Sequence, residues 1–198
     1  LLLSITPAWF LHSRTAFETA EMAALYAVFL YCYGLYRKGV MPAMIAAGAT
    51  ASVLGPNGRR DVRVEDIAAG PGKTSLAKNE IVTSFVLPRR SPRSGDAYLR
   101  FTPRTEMDIA VVGVGVNLTL DDKGVCSQAR VSLGAVADRA LLVPEAAATL
   151  IGTKVDAAAL ARLAAAASAA CRPIDDKRGT REFRIKVAGV LARRAAQI

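Results

Sequence analysis

Alternation of apolar with small or polar residues dominates the second half of the chain. In Val112–Leu120, valine or leucine occupies every second position, with glycine, asparagine or threonine between them. A second alternating run, Val125–Leu133, follows a polar turn at Asp121–Gly124. Such alternation is typical of a strand with one apolar face, and two runs across a short turn predict an antiparallel hairpin. Tyr98–Thr102 is predicted to add another strand.

The last third of the chain carries the signals of three helices. Pro144 favours the first turn of a helix that ends before Gly152, and Asp156 is predicted to cap an alanine-rich helix through about Cys171. Thr180 is predicted to cap the last helix, whose acidic first turn and basic last turn suit the helix dipole. The apolar stripe expected to face the core consists of Phe183, Val187, Val190 and Leu191.

Before residue 95 the pattern predicts a short helix and three strands. Met41–Thr50 is predicted to be helical. Ala51–Leu54 and Arg60–Val64 are predicted strands joined by a Gly-Pro-Asn-Gly turn, because Asn-Gly tolerates a positive φ and Pro presets the bend. Glu80–Leu87 is a third strand, which the following proline ends.

Composition divides the chain into three parts. Residues 1–40 hold eight of the twelve aromatic residues and stay unassigned, with a helix as the favoured conformation. Their uncharged run, Met22–Tyr36, is shorter than the roughly 20 residues that cross a bilayer, which favours a buried or partner-facing helix over a membrane span. The basic segment Arg89–Gly95 contains Pro and Gly and is the predicted linker between residues 41–92 and residues 93–198.

Charge and cysteine content limit the classes of function. The net charge of +9 suits an anionic cofactor, an acidic partner or nucleic acid, and it is equally compatible with a basic surface of no special role. The three cysteines are far apart and His12 is the only histidine, so the chain lacks the usual ligands of a zinc or iron–sulfur site. Any metal redox chemistry is expected from another chain. The cysteine spacing indicates no disulfide framework, which favours a reducing, cytoplasmic compartment.

Two glycine-rich motifs fail the tests of nucleotide-binding fingerprints. Gly70–Thr74 ends like a P-loop, but the glycine required five positions before Gly72 is Ile67. Gly113–Leu118 begins like a dinucleotide fingerprint, but Leu118 stands in place of the third glycine and the segment is a predicted strand. Its glycines are therefore predicted to let a helix or a ring pack close to the sheet.

Two polar clusters have both a structural and a functional interpretation. Arg104–Asp108 forms a turn with an Arg–Asp ion pair or orients a cofactor at a domain seam, and spacing alone favours the turn. Asp175–Gly179 holds two adjacent carboxylates beside Lys and Arg, which is more typical of a solvated helix start than of a metal site. A Ser–His–Asp arrangement would need a histidine in the body of the chain, so no catalytic residue is assigned.

Five segments, taken in order, resemble a known family. They are IAAGATASVLGPNGRRDVRVEDI, GKTSLAKNEIVTSFVLP, DAYLRFTPRTEMDIAVVGVGVNL, ARVSLGAVA and PIDDKRGTREFRIKVAGVLARRA. Each segment is modest alone. Their order and spacing, from about Met41 to the C-terminus, resemble the FAD-binding medium subunit of molybdenum hydroxylases of the carbon monoxide dehydrogenase and xanthine dehydrogenase type.

The resemblance implies both a fold and a role. The fold is α+β, the remnant of a vanillyl-alcohol oxidase-like FAD domain followed by a small C-terminal domain with an antiparallel sheet and helices. Electrons are expected to leave a molybdenum centre with its molybdopterin in a large subunit, and to cross [2Fe–2S] clusters in a small subunit. They then reach FAD in the medium subunit, which passes them to an acceptor. The expected partners are therefore those two subunits and not nucleic acid.

The resemblance also implies a set of cofactor-binding residues, which match family motifs around the flavin ring: Ile81, Val82, Tyr98, Arg100, Arg104 and Asp108. The first two belong to a strand that approaches the flavin. Tyr98 and Arg100 match an aromatic and a basic residue near the isoalloxazine. A cation at Arg100, where many relatives have lysine, would stabilise negative charge on the reduced ring.

The family's two glycine-rich segments for the FAD pyrophosphate, AGGTDL-like and TxGGN-like, do not occur in this sequence. The chain is therefore expected to be N-terminally truncated. Alone, it is expected to bind FAD weakly, because the phosphate cradle is missing. Two alternatives stay open: a non-enzymatic basic binding module, and a membrane-attached fragment that uses residues 1–40.

Overall fold

A computed structural model describes residues 41–104 and 109–198, which form sheets and helices of an α+β fold. The helices are α1 (Met41–Ala47), α2 (Val64–Ile67), α3 (Pro144–Ala148), α4 (Ala157–Ala170) and α5 (Arg181–Ala195). The strands are β1 (Thr50–Gly55), β2 (Gly58–Arg63), β3 (Ala68–Gly70), β4 (Lys73–Thr74), β5 (Ile81–Val86), β6 (Ser94–Phe101), β7 (Val112–Leu120), β8 (Cys126–Gly134) and β9 (Leu141–Leu142). The unassigned segment 1–40 lies outside the described residues.

The first sheet has β1 at its centre, between β2 and β5, and both pairings are antiparallel. The predicted turn closes the β1–β2 hairpin, where Gly55 pairs with Gly58 and Gly58 adopts a φ of +99° that glycine tolerates best. Ala51 and Val53 are fully buried on one face, whereas Leu54 on the other face is 41% exposed. The sheet therefore has one buried face and one face that is open around Leu54.

The second sheet has the strand order β6-β7-β8-β9, with every pairing antiparallel. Its central hairpin, β7–β8, is the one predicted from the alternating runs. Val112, Val114 and Val116 are buried on one face of β7, and Gly113 and Gly115 lie on the opposite face. This gives the sheet an apolar face and a glycine face.

The three C-terminal helices cover the apolar face of the second sheet, where their side chains and the β7 valines form the main core. Both predicted N-caps are confirmed. The Asp156 carboxylate accepts a hydrogen bond from the amide of Ala159 at 2.8 Å, and the Thr180 hydroxyl accepts one from Phe183 at 3.2 Å. Within the described ranges, none of the helices has the length and apolar character needed to cross a bilayer.

A smaller core joins residues 41–92 to the C-terminal part. Met44 and Ile45 of α1 pack with Val64 of α2, and Ala140 and Leu142 from the C-terminal part pack against this group. The predicted linker at residues 89–95 is therefore not the only connection between the two parts, because they also share buried apolar surface.

Helix α1 lies directly on the glycine face of the second sheet. A Cβ atom on Gly115 would lie 2.7 Å from the Pro42 carbonyl oxygen and 3.0 Å from the Ala46 Cβ, and one on Gly134 would lie 2.5 Å from the Pro42 Cγ. The Ser132 hydroxyl also donates a hydrogen bond to the Pro42 carbonyl. The prediction that a glycine of β7 admits a close-packed helix is confirmed at Gly115, and Gly134 of β8 does the same.

Candidate functional site

Tyr98 and Arg100 lie on the same face of β6. They pair with Gly115 and Gly113 of β7, and alternate residues of a strand point to the same side, so both side chains project from the glycine face. Burial raises the pKa of Tyr98 to about 12, while the positive charge of Arg100 acts in the opposite direction. At neutral pH the site therefore presents a neutral phenol beside a cation.

The Tyr98 ring rests on Gly113. A Cβ atom at Gly113 would lie 2.8 Å from the Tyr98 hydroxyl oxygen and 3.3 Å from its Cε2. Any larger residue at this position would push the ring away from the sheet. The second form of close packing that the sequence predicted on this strand, a ring against a glycine, is thus also present.

Ile81 and Val82 point to opposite faces of the first sheet. Ile81 pairs with Leu54 on the open face and is 48% exposed. Val82 pairs with the fully buried Val53 and packs against the smaller core. A flat ligand on the open face can therefore touch Ile81 directly, whereas Val82 supports the strand from beneath. The sequence motif did not single out Leu54, the exposed apolar neighbour of Ile81.

The remaining pair of predicted site residues is only partly described. Arg104 lies on an exposed bend just after β6 ends. Asp108 lies outside the described residues, so the expected Arg–Asp turn and the proposed role of both residues stay predictions.

Sequence reasoning missed a partly buried ion-pair cluster around Glu65. Arg63 and Arg130 both approach its Oε1 atom, at 2.6 Å and 3.1 Å. Burial by itself raises the pKa of Glu65, but a backbone hydrogen bond, the hydrogen bond and charge of Arg130 and the charge of Arg63 together bring this pKa below its ordinary value. No local pattern marks the cluster, because Glu65 and Arg130 are 65 residues apart in sequence.

The other candidate motifs have structural roles. Gly70–Thr74 forms a small hairpin of β3 and β4 rather than a strand that leads into a helix. The Asp175 carboxylate accepts a hydrogen bond from the Arg181 amide at 2.6 Å, and Asp176 pairs with Arg184 at 2.7 Å, so the predicted helix start is confirmed. In the part of the chain that the structure describes, no group of three His, Cys, Asp or Glu residues is placed to hold a metal ion.

Two family models match the chain in succession. Residues 36–90 match the FAD binding domain in molybdopterin dehydrogenase, and residues 97–198 match the CO dehydrogenase flavoprotein C-terminal domain. The second match covers more than half of the chain and includes β7, β8 and β9, most of β6, and the helices that cover the sheet.

Curated relatives agree with these matches. The carbon monoxide dehydrogenase medium chain of Afipia carboxidovorans is 35% identical over 158 residues, which are 79% of this chain and 54% of the relative. The xanthine dehydrogenase FAD-binding subunit of Escherichia coli O157:H7 is 27% identical over 138 residues, which are 69% of this chain and 47% of that subunit. The chain therefore spans about half the length of the curated relatives it matches.

Solved structures share the same fold. Reconstituted CO dehydrogenase from Oligotropha carboxidovorans matches with a TM-score of 0.75 and 34% identity, covering 79% of this chain and 54% of that one. Quinoline 2-oxidoreductase from Pseudomonas putida 86 matches with a TM-score of 0.69 and 30% identity, covering 79% of this chain and 55% of that one. The predicted α+β fold, an FAD-domain remnant followed by a small C-terminal domain, is confirmed. The chain belongs to the family of FAD-binding medium subunits of the molybdenum hydroxylases.

Proposed function

We propose that this chain acts as the flavoprotein subunit of a molybdenum hydroxylase, in which electrons from iron–sulfur clusters reach FAD and pass to an acceptor. The observation that carries the proposal is the succession, in one chain, of an FAD-binding domain match and a flavoprotein C-terminal domain match. The relatives that span both segments bear the names of medium chains or FAD-binding subunits of such enzymes.

The described residues fit one part of FAD, its isoalloxazine ring. Leu54 and Ile81 offer an open apolar surface, and Tyr98 with Arg100 offers an aromatic ring and a cation on one strand face. Flat redox cofactors are held by such apolar surfaces with a few placed polar groups. When bound, FAD would supply the electron-transfer chemistry, while Arg100 would place positive charge near the ring.

The pyrophosphate of FAD needs a different kind of site, a glycine-rich turn at a helix N-terminus. The sequence holds neither of the family's two phosphate-binding segments. We therefore propose that residues 41–198 cover the ring, whereas the phosphates are gripped by sequence outside this range. The position of residues 92 and 93 between the two family matches supports the proposed division there.

The proposed partners are an iron–sulfur small subunit and a molybdenum large subunit. Matched relatives are named as medium chains of carbon monoxide dehydrogenase, which supports a heteromeric assembly. A cytoplasmic location is proposed because Cys126 and Cys171 are free, buried thiols, which suit a reducing compartment. No observation favours the alternative of a basic nucleic-acid-binding module.

The proposal is tested by FAD content. We expect the isolated chain to retain far less than stoichiometric FAD. A chimeric assembly should hold FAD stoichiometrically. In this chimera, the upstream part of the Afipia carboxidovorans medium chain is fused to residues 41–198 of this chain. It is co-expressed with the iron–sulfur and molybdenum subunits. The measurement is the flavin absorbance of denatured, purified protein per polypeptide.

Each arm of that experiment has its own contrary result. Stoichiometric FAD on the isolated chain would contradict the division of the cofactor between two stretches of sequence. A chimeric assembly that folds and holds its partners but lacks FAD would contradict the assignment of residues 41–198 to the flavin.

A further inference from the structure

The side chains that suit a flavin ring lie on two different sheets. Leu54 and Ile81 belong to the first sheet, and Tyr98 and Arg100 belong to the second. Both groups can contact one flavin ring only if the relative position and orientation of the two sheets are fixed. A misplacement on the order of 1 Å is enough to impair positioned chemistry.

The direct connection along the chain is poorly suited to fix this arrangement. The segment between β5 and β6 is exposed, with Leu87 at 63%, and the ion pairs of Arg90 with Asp96 and of Arg93 with Asp122 join it to the second sheet and its turn. The relative position of the two sheets must therefore be fixed by packing elsewhere, and helix α1 packs against both parts of the chain.

Arg130 of β8 holds the C-terminal end of α1. Its Nε and Nη2 atoms both donate to the Ile45 carbonyl oxygen, at 3.2 Å and 2.9 Å, and Nη2 also donates to Glu65 Oε1 on α2 at 3.1 Å. The guanidinium lies over Gly48, where a Cβ atom would be 3.6 Å from Nε. A cation at a helix C-terminus is favoured by the helix dipole, and the planar fork of arginine matches two acceptors at once.

The Glu65 carboxylate, which accepts this hydrogen bond, is largely shielded from solvent. The Glu65 side chain is 10% exposed and that of Arg130 is 30% exposed, and Glu65 Oε2 has no hydrogen-bond partner among the described residues. Removing the guanidinium would leave a buried carboxylate with Arg63 as its remaining cation. Such a loss is costly, because a largely buried carboxylate loses one of its two cationic partners.

We infer that Arg130 is a positioning residue, which clamps α1 and α2 to the second sheet so that the ring-facing side chains of both sheets form one surface. The inference rests on the proposed function for the flavin, whereas the clamp itself rests on the contacts of Arg130 alone. Arg130 acts through the helices and touches no reacting atom.

Amide hydrogen exchange tests the clamp without any cofactor. In Arg130→Met, the amides of Gly48, Ala49 and Val64, which bond within the clamped region, should exchange about tenfold faster or more, because the lost hydrogen bonds to Ile45 and Glu65 favour local opening. Arg130→Lys keeps the charge but not the two-pronged contact, and should show a smaller increase.

Arg139→Met is the matched control. Arg139 also reaches a carbonyl of the first part of the chain, that of Ala68, but only at 3.5 Å and on the surface. Its substitution should leave the exchange of these amides unchanged. Equal exchange rates of these amides in Arg130→Met and Arg139→Met would contradict the inference that Arg130 clamps α1 and α2.

A measurement on bound FAD is needed to distinguish a positioning role of Arg130 from a purely structural one. In the chimeric assembly, the midpoint potential of bound FAD should shift in Arg130→Met and stay unchanged in Arg139→Met. Faster exchange with an unchanged potential would overturn the positioning role. If no assembly binds FAD, the proposed function fails, and the exchange experiment still decides the clamp.

Discussion

Arg184→Met is expected to lower the free energy of unfolding by about 3 kcal/mol, because each hydrogen bond from a charged donor contributes roughly 1.5–3 kcal/mol. The Arg184 side chain is 5% exposed although it lies on the last helix. Its Nη1 donates to the carbonyl oxygens of Val111 at 2.8 Å and Ala135 at 3.2 Å, and its Nη2 pairs with Asp176 at 2.7 Å.

The size of this effect follows from what the substitution leaves behind. Methionine fills a similar volume but donates no hydrogen bond, so the buried Val111 carbonyl, the Ala135 carbonyl and the Asp176 carboxylate each lose a partner. A domain of this size is stabilised by only about 5–15 kcal/mol in total. Urea unfolding followed by circular dichroism measures the change.

Arg181→Met is the control for Arg184→Met. Arg181 is an exposed residue on the same helix, one turn earlier, so its substitution should change the free energy of unfolding by less than about 0.5 kcal/mol. If both substitutions had an equally small effect, burial of Arg184 would contribute no more to the free energy of unfolding than an exposed arginine does.

Gly115→Val should destabilise the protein by about 2–3 kcal/mol and loosen α1 from the second sheet. Valine is a better strand former than glycine, so the local preference of β7 would improve. The loss must therefore come from overlap with the helix. The new Cβ would lie 2.7 Å from the Pro42 carbonyl oxygen and 2.7 Å from the Ser132 hydroxyl.

Gly95→Val separates this overlap from the general effect of replacing a strand glycine. Gly95 lies on the neighbouring strand β6, and a Cβ atom there would meet nothing within 4 Å. We expect this control to be neutral or slightly stabilising in thermal unfolding. A Gly115→Val protein as stable as the Gly95→Val protein would contradict the tight seating of α1.

Local signals predicted the regular elements well. The period-two run gave β7 with the bounds Val112–Leu120, because alternation directly reflects which face of a strand is buried. Asp156 and Thr180 were identified as helix caps because a cap is a contact between residues three apart, which the local sequence contains.

The face of the last helix was predicted only in part. The expected apolar stripe included Phe183, but that side chain is 41% exposed and its ring packs edge-on against Phe101. The buried face instead carries Arg184, with Ala188, Leu191, Ala192 and Ala195. Apolar periodicity cannot reveal a buried arginine, because its burial depends on carbonyl groups supplied by distant loops.

The candidate site shows the same limit. Family motifs identified Tyr98 and Arg100, and strand alternation then places both on one face. The faces of Ile81 and Val82, the exposure of Leu54 and the contacts of Arg130 depend on pairings between distant segments, so no local pattern indicated them.

We expect residues 41–198 to cover a flavin ring with Arg100 beside it. The most direct test of this expectation is the midpoint potential of FAD in the chimeric assembly, compared between the unsubstituted protein and Arg100→Met, with the exposed α4 residue Arg162→Met as control. Loss of a nearby cation should make reduction harder. We predict a more negative potential in Arg100→Met, by on the order of 30 mV for a two-electron couple, and no change in Arg162→Met. Equal potentials in all three proteins would show that Arg100 does not lie beside the flavin ring.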